Sequence, residues 1–419
     1  MRDTDSVTQS ILAYNHGRDP DRLKRKFALI RQDPFAFFRG TCHLFYATLP
    51  RAPVFTGAPA VLACGDLHVE NFGTYKGDNR LVYFDLNDFD EAALAPFTLE
   101  LVRFAASVRV AAAHLKLSAP QAAKLCRTFV ETYTGSIADG KARWIERSTA
   151  DGIVRDLLRS LEQRNRTELL DKRTELVKSV RHLRIDNVHS LAATGADRAR
   201  INTMLKRFAT TTAHPQFFRL LDIARRVAGN GSLGVERYVL LVEGKGSPAG
   251  NYLLDLKLAV PSAFAPAAKS RQPKWVGEAQ RVVATQRIVQ AISPARLHSL
   301  TDAGRSYVLK ELQPTADRLD LALWRGHIRQ LESVIKTMAE VTAWGQLRSC
   351  SRHGAASVEA LQKYVAGKAW PKILLVAAEE CSTRTIAQWR AYCKAYDDGR
   401  LDPHGAIAPA RTMPNAQRR

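Results

Sequence analysis

Between residues 61 and 91 two short apolar runs, Val61-Leu62-Ala63-Cys64 and Leu81-Val82-Tyr83-Phe84, lead straight into turns crowded with acid and amide side chains. The first turn reads Gly65-Asp66-Leu67-His68-Val69-Glu70-Asn71-Phe72-Gly73, and the second Asp85-Leu86-Asn87-Asp88-Phe89-Asp90-Glu91. Short apolar runs punctuated by Gly, Asp and Asn predict short strands and tight loops. A chain built around them gathers hard oxygen donors into a small space.

Elements with other textures flank this segment. The spacing of Leu23, Phe27, Ile30, Phe35, Phe37, Phe38, Leu44 and Phe45 predicts two short helices separated by Asp33-Pro34. Phe97, Leu101, Phe104, Ala105, Val108 and Ala112 form a helical stripe one face wide, and helix-like patterns continue to about Arg226. Tyr238 to Val242 and Tyr252 to Leu258 are strand-like, with turn chemistry at Gly244 to Pro248 between them, and predict a β-hairpin. A helix follows from Glu278 to about Ile292, then a strand over Ser306 to Leu312 stopped by Pro314. Helices resume from Asp317 to about Tyr396, and the Pro-, Ala- and Arg-rich stretch from Asp402 to Arg419 is expected to be a disordered tail.

With 419 residues, 46% of them apolar, the chain is long enough for a sizeable core and two lobes. Six cysteines form no CxxC pair and no zinc spacing, so a disulfide framework and a structural metal are not indicated. The N-terminus lacks a signal-peptide pattern and no apolar run approaches bilayer length, so a soluble, cytoplasmic protein with no membrane partner is expected. The excess of 62 Lys and Arg over 41 Asp and Glu gives a formal charge of +21, a field that attracts nucleotides, phosphorylated metabolites or nucleic acid. That charge is scattered. Its densest stretch, Arg155 to Arg184, interleaves acids at helical spacing as a solvated helix face does, which argues against nucleic acid as the main partner.

Phosphoryl transfer requires oxygen ligands for Mg²⁺ and a carboxylate near the acceptor hydroxyl, because its catalysis is mostly positioning and charge neutralisation. Asp66, Asn71 and Asp85 supply such groups. The segment resembles the catalytic loop of aminoglycoside phosphotransferases and choline-kinase-like enzymes, in which an Asp-x-His-x-x-Asn run is followed by a strand ending in a metal-binding Asp. That resemblance implies Asp66 as catalytic base, Asn71 as one metal ligand and Asp85 as the other, with Asp88 as the alternative to Asp85. The wider chain, from Pro34 through the Asn87 to Glu91 run, also resembles a bacterial family of unknown function with these motifs. Cys64 stands where phosphotransferases usually have His. Glu100 stands where a helix-borne Asp braces the catalytic loop, and the longer carboxylate can still accept backbone N–H bonds. The bland alternative is that these acids cap turns and helices, the stronger reading for Asp90 and Glu91. His68, whose sequence neighbours are hard oxygen donors, reads as a loop-fixing imidazole.

A second signal is the GxGxxG run from Gly229 through Gly231 to Gly234. Strand-like residues follow it, which favours a loop covering phosphate over a dinucleotide fingerprint; the competing reading is an ordinary turn. Such a loop needs a cation on a nearby strand, and Lys257 is placed for it, with Glu278 at the start of the next helix as the acid that positions the lysine; the competing readings are a surface strand lysine and a helix-start acid stabilised by the helix dipole. Lys310 to Pro314 is a candidate hinge against adenine.

In ordinary kinases the glycine loop and lysine precede the catalytic loop, whereas here they follow it. The expectation is therefore an α+β, two-lobed protein-kinase-like fold that is circularly permuted, with a largely helical C-lobe and a small β-rich N-lobe. The divisions fall at 1–226 (catalytic loop, mostly helical), 227–315 (β-rich, nucleotide-binding), 316–400 (helical return) and 401–419 (tail). The expected function is Mg²⁺-dependent transfer of phosphate from ATP or another nucleotide to a hydroxyl on a small molecule, an acceptor that the positive field would also suit if anionic. The alternatives are an inactive nucleotide-binding regulator and a basic nucleic-acid-binding protein.

Overall fold

The computed structural model describes residues 2–161, 166–229, 231–313 and 319–401. The expectations for Asn230, Pro314, the helix start at Asp317 and the tail from Asp402 fall outside the described residues.

Twelve strands occur among the described residues: β1 (Ala60–Ala63), β2 (Phe72–Lys76), β3 (Val82–Leu86), β4 (Ala93–Pro96), β5 (Thr174–Val177), β6 (Val180–Leu183), β7 (Ser190–Ala192), β8 (Leu220–Arg226), β9 (Arg237–Val242), β10 (Tyr252–Leu258), β11 (His298–Asp302) and β12 (Arg305–Glu311). Six of them make one sheet in the order β11-β12-β10-β9-β8-β7, and β1-β4, β2-β3 and β5-β6 form two-stranded pairs. All of these pairings are antiparallel, which makes the chain α+β.

The large core is built around the helix Phe97–Val110. The one-face stripe read from its sequence is too narrow, because thirteen of its fourteen residues are buried. Helices Ala119–Asp139 and Trp370–Asp397 pack against it, and Ile328–Ser349 packs on Ala119–Asp139. Phe104 stacks on Phe129 with ring centroids 3.7 Å apart. Glu100 and Arg103 are buried with the apolar residues of the central helix. A helix surrounded on all sides can hold charges only where each has a partner, and both partners lie in the first acidic turn.

The six-stranded sheet follows the period of two expected of strands. Tyr238, Leu240, Leu254, Leu256, Tyr307 and Leu309 face the helix Gly195–Ala209 in a core of their own. On the opposite face, Val239, Leu241, Leu253 and Leu312 join Leu170 and Leu183 in a smaller cluster. Between those apolar residues the same face carries Arg226, Arg237, Asp255, Lys257 and Lys310.

The hairpin of β9 with β10, the helix Glu278–Val289 and the strand β12 match the sequence reading. The helical reading of the first half does not extend to Arg226. Strands β5 to β8 interrupt it, and the division placed at 226 falls between two paired strands, β8 and β9. In Leu220-Leu221-Asp222-Ile223-Ala224-Arg225-Arg226 the charged residues obscure the alternation that marks a half-buried strand. The first segment also holds three short helices, Pro20–Gln32, Pro34–Gly40 and Cys42–Ala47, rather than two. Asp33 caps the second through the backbone N–H groups of Phe35 and Ala36, each at 2.8 Å.

Phe104→Ala removes a stacked ring from the middle of the large core and should lower unfolding free energy by about 3–5 kcal/mol. Urea denaturation of the variant beside the wild type measures it.

Candidate functional site

The first acidic turn is set by Gly65, whose φ of +84° belongs to the left-handed region. A Cβ there would lie 2.2 Å from the Glu91 carbonyl oxygen, so only glycine lets the first turn pass this close to the second. Tyr46 Oη donates to the Gly65 carbonyl at 2.6 Å. Glu100 braces the turn from the central helix. Its Oε1 accepts from Cys64 N at 2.7 Å and Gly65 N at 3.2 Å, and its Oε2 accepts from Gln346 Nε2 at 2.7 Å.

Asp66 projects from this turn against Arg103, whose Nε and Nη2 donate to Asp66 Oδ1 at 2.7 and 2.5 Å. Arg103 is fully buried, its guanidinium 4.1 Å from the Phe38 ring centroid, and it also donates to the Phe38 carbonyl at 3.1 Å. The Asp66 side chain keeps 21% of its surface exposed and lines a cleft. Burial raises its carboxyl pKa above the usual range, against the lowering pull of Arg103.

Asn71 clamps the two acidic turns together. Its Nδ2 donates to the Asp66 carbonyl at 2.9 Å, and its Oδ1 accepts from Asp88 N at 2.8 Å. His68 is a buried part of the same turn, its Nδ1 accepting from Glu70 N at 3.1 Å.

Asp88 lines the cleft and Asp85 stands apart from it. β3 continues through Leu86, so Asp85 is a strand residue. Its carboxylate points at the interior, accepting from Leu86 N at 2.8 Å and Ala291 N at 3.3 Å, with Arg348 at 3.4 Å. Burial pushes Asp85 up to about 6. Only past Leu86 does the chain turn outward and bring Asp88 to the cleft. Burial works against the charge of Asp88, but Lys257 and Lys310 outweigh it and hold the carboxyl below its ordinary value.

The far wall of the cleft is the charged face of the six-stranded sheet together with the loop between β8 and β9. Gly229, Gly231 and Ser232 of that loop line the cleft beside Asp66 and Asp88. Gly229 and Gly234 have φ of +81° and +86°. The loop is held by the N-terminal segment: the Gly231 carbonyl accepts from Arg18 Nη1 at 2.8 Å and from the buried Lys26 Nζ at 3.0 Å. Lys257 reaches across from β10 and pairs with Asp90.

Glu278 is not its partner. At the first turn of its helix, Glu278 pairs at 2.6 Å with Arg281, whose guanidinium donates to the carbonyls of Ala92 and Asp90 at 2.6 and 2.8 Å. Lys310, read as part of a hinge, points its side chain into the cleft, and Gln313 beyond it donates to the Thr74 carbonyl at 3.2 Å.

Sequence reading missed the cleft residues Arg237, Asp255 and Glu91 as functional candidates. Strand alternation carried the signal for Arg237 and Asp255, which share a sheet face with Lys257. Glu91 Oε2 accepts from Ala263 N at 2.5 Å and its Oε1 accepts from Tyr14 Oη at 3.2 Å. Burial, reinforced by the charge of Asp66, pushes Glu91 up to about 7.

The molecule is thus an α+β protein with an acid-bearing pair of turns facing a basic sheet face and a glycine loop. The chain belongs to the family described as uncharacterized proteins conserved in bacteria (DUF2252), which it matches over residues 18–395. No curated protein and no solved structure matches it. Among the described residues no helix is long and apolar enough to cross a membrane.

Glu91 binds its proton more tightly folded than unfolded, so its contribution to stability is present in acid and is lost as pH rises through about 7. Relative to Glu91→Gln, the wild type should therefore lose about 3 kcal/mol between pH 4 and pH 8. Denaturation curves of both proteins at the two pH values check this.

Proposed function

We propose that the chain is a Mg²⁺-dependent phosphotransferase of protein-kinase-like architecture in permuted order, moving phosphate from ATP or another nucleotide to the hydroxyl of a small molecule. The observation that carries this reading is the meeting of Asp66 and Asp88 with Gly229, Gly231 and Lys257 around one cleft, although the second set lies far along the chain from the first. In this reading the six-stranded sheet is the nucleotide lobe and the helical core carries the catalytic loop.

The donor set suits Mg²⁺. Among the described residues no three His, Cys, Asp or Glu side chains gather into a ready-made metal cage. Mg²⁺ does not need one, since it commonly binds through one or two protein oxygens, substrate phosphates and water. Asp88, held ionised by neighbouring lysines, and the remaining lone pair of Asn71 Oδ1 would hold it. Bound there, the ion would neutralise charge on the phosphate oxygens.

The residues of the chain then divide the work. Backbone N–H groups of the glycine loop and the Lys257 ammonium bind phosphate oxygens. Asp66, fixed by Arg103, orients the acceptor hydroxyl. As the acceptor oxygen bonds to the terminal phosphorus, the bond from that phosphorus to its bridging oxygen breaks, the nucleoside diphosphate leaves, and the acceptor proton passes to Asp66. A carboxylate whose pKa is raised by burial is better matched to receive that proton than an exposed one.

Transfer of labelled terminal phosphate from Mg²⁺-ATP to a panel of hydroxylated metabolites tests the proposal. Asp66→Asn and Asp88→Asn should each lower turnover by roughly 100-fold or more. Asp85→Asn, which does not line the cleft, should stay within about tenfold of wild type. Nucleotide binding without product would favour a regulator, and no binding of any nucleotide would overturn the reading.

A further inference from the structure

A phosphate-covering loop with one lysine accounts for only part of the basic face. Arg237, Lys257 and Lys310 project from three adjacent strands on that face. In the register of the sheet, Arg237 is directly opposite Lys257, and Asp255 directly opposite Lys310. Like charges placed opposite each other across strands oppose folding, so Arg237 and Lys257 repel across the sheet, whereas Asp255 faces Lys310 with the opposite sign.

The buried Asp255 relieves part of that repulsion in a way that orients the wall. Its two oxygens accept from Arg237 Nε at 2.8 Å and Nη2 at 2.5 Å. This bidentate pair fixes the plane of the Arg237 fork and directs its third nitrogen, Nη1, toward the glycine loop, 3.8 Å from where a Cβ on Gly229 would stand. Lys257 is neutralised by Asp90. Lys310 is different: among the described residues it makes no hydrogen bond or ion pair, and its side chain enters the cleft beside Asp88. A lysine ammonium taken from bulk water without a direct partner is costly, and an anion in the cleft would supply that partner.

We propose that Lys310 is a second polyphosphate-binding residue, acting with Lys257 and the Asp255-oriented Arg237 to form a three-cation wall for the phosphate chain of a nucleoside di- or triphosphate. The proposal rests on the reading of this cleft as a nucleotide site. It extends that reading by assigning the ligand's phosphate chain, rather than its base, to the sheet face, so the contribution of Lys310 should grow with the number of phosphates.

Calorimetric titration of the full chain with ATP, ADP and adenosine in Mg²⁺ tests this in the wild type, Lys310→Met and Lys310→Arg. Lys310→Met should weaken ATP binding by roughly 10- to 100-fold, weaken ADP binding less, and leave adenosine within about twofold. Lys310→Arg should restore most of the ATP affinity. As a measurement that needs no variant, ATP should protect Lys310 of the wild type from an amine-acylating reagent, read by peptide mass spectrometry, and adenosine should not. Unchanged ATP affinity in Lys310→Met, an equal loss for ATP and adenosine, or absent protection would overturn the role of Lys310 while leaving the nucleotide site intact. A wild type that binds none of the three ligands would overturn the nucleotide reading, and this inference with it.

Discussion

The Arg103 guanidinium lies at zero exposure inside the large core and makes its ion pair with Asp66, a residue at the edge of the cleft. Burying a guanidinium is tolerable only with a close anion and well-placed acceptors, and here Asp66 Oδ1, the Phe38 carbonyl and the rings of Phe38 and Phe45 provide them. Folding of the core therefore fixes where the Asp66 carboxylate sits. Three residues earlier on the same helix, Glu100 holds the backbone just before Asp66 through Cys64 and Gly65. One buried helix thus positions both the loop and its acid, and any chemistry at Asp66 depends on the packing of that helix.

The opposite wall of the cleft is positioned by different physics. Strand alternation brings Arg237, Asp255, Lys257 and Lys310 to one face, and the buried Asp255 sets the direction of Arg237. The glycine loop is tied to the N-terminal segment by Arg18, Lys26 and Arg22 through the carbonyls of Gly231 and Val235. The acid-bearing turns are thus rigidly braced, whereas the basic wall presents cations toward the open cleft.

Much of this was legible in the sequence where one local signal dominated. The two acidic turns, the β9-β10 hairpin and the strand β12 announced themselves by Gly and Asp punctuation around short apolar runs. The strands β7 and β8 were not legible, since Arg225 and Arg226 end a run whose apolar residues serve two different packing faces. The loop-to-metal separation of the resembled enzymes favours Asp85 over Asp88, but spacing does not say which side of a strand a carboxylate occupies, and β3 extends through Leu86 with the Asp85 carboxylate turned to the interior. Glu278 opens the helix that follows Lys257 in the sequence, but in the fold its carboxylate pairs with Arg281, three residues further along the same helix. Glu91 reads in the sequence as a turn former, and its raised pKa comes from burial beside Asp66, which only the folded chain reveals.

On the proposed reading, two stretches far apart in sequence jointly hold a metal-nucleotide in one cleft. The most direct measurement is a crystal structure of the full chain with a non-hydrolysable ATP analogue and Mn²⁺, whose anomalous signal locates the metal. The ion is expected at Asp88 and Asn71, with the phosphates lying between Gly229 and Lys257. A metal at Asp85, or a nucleotide bound away from Asp66, would contradict it.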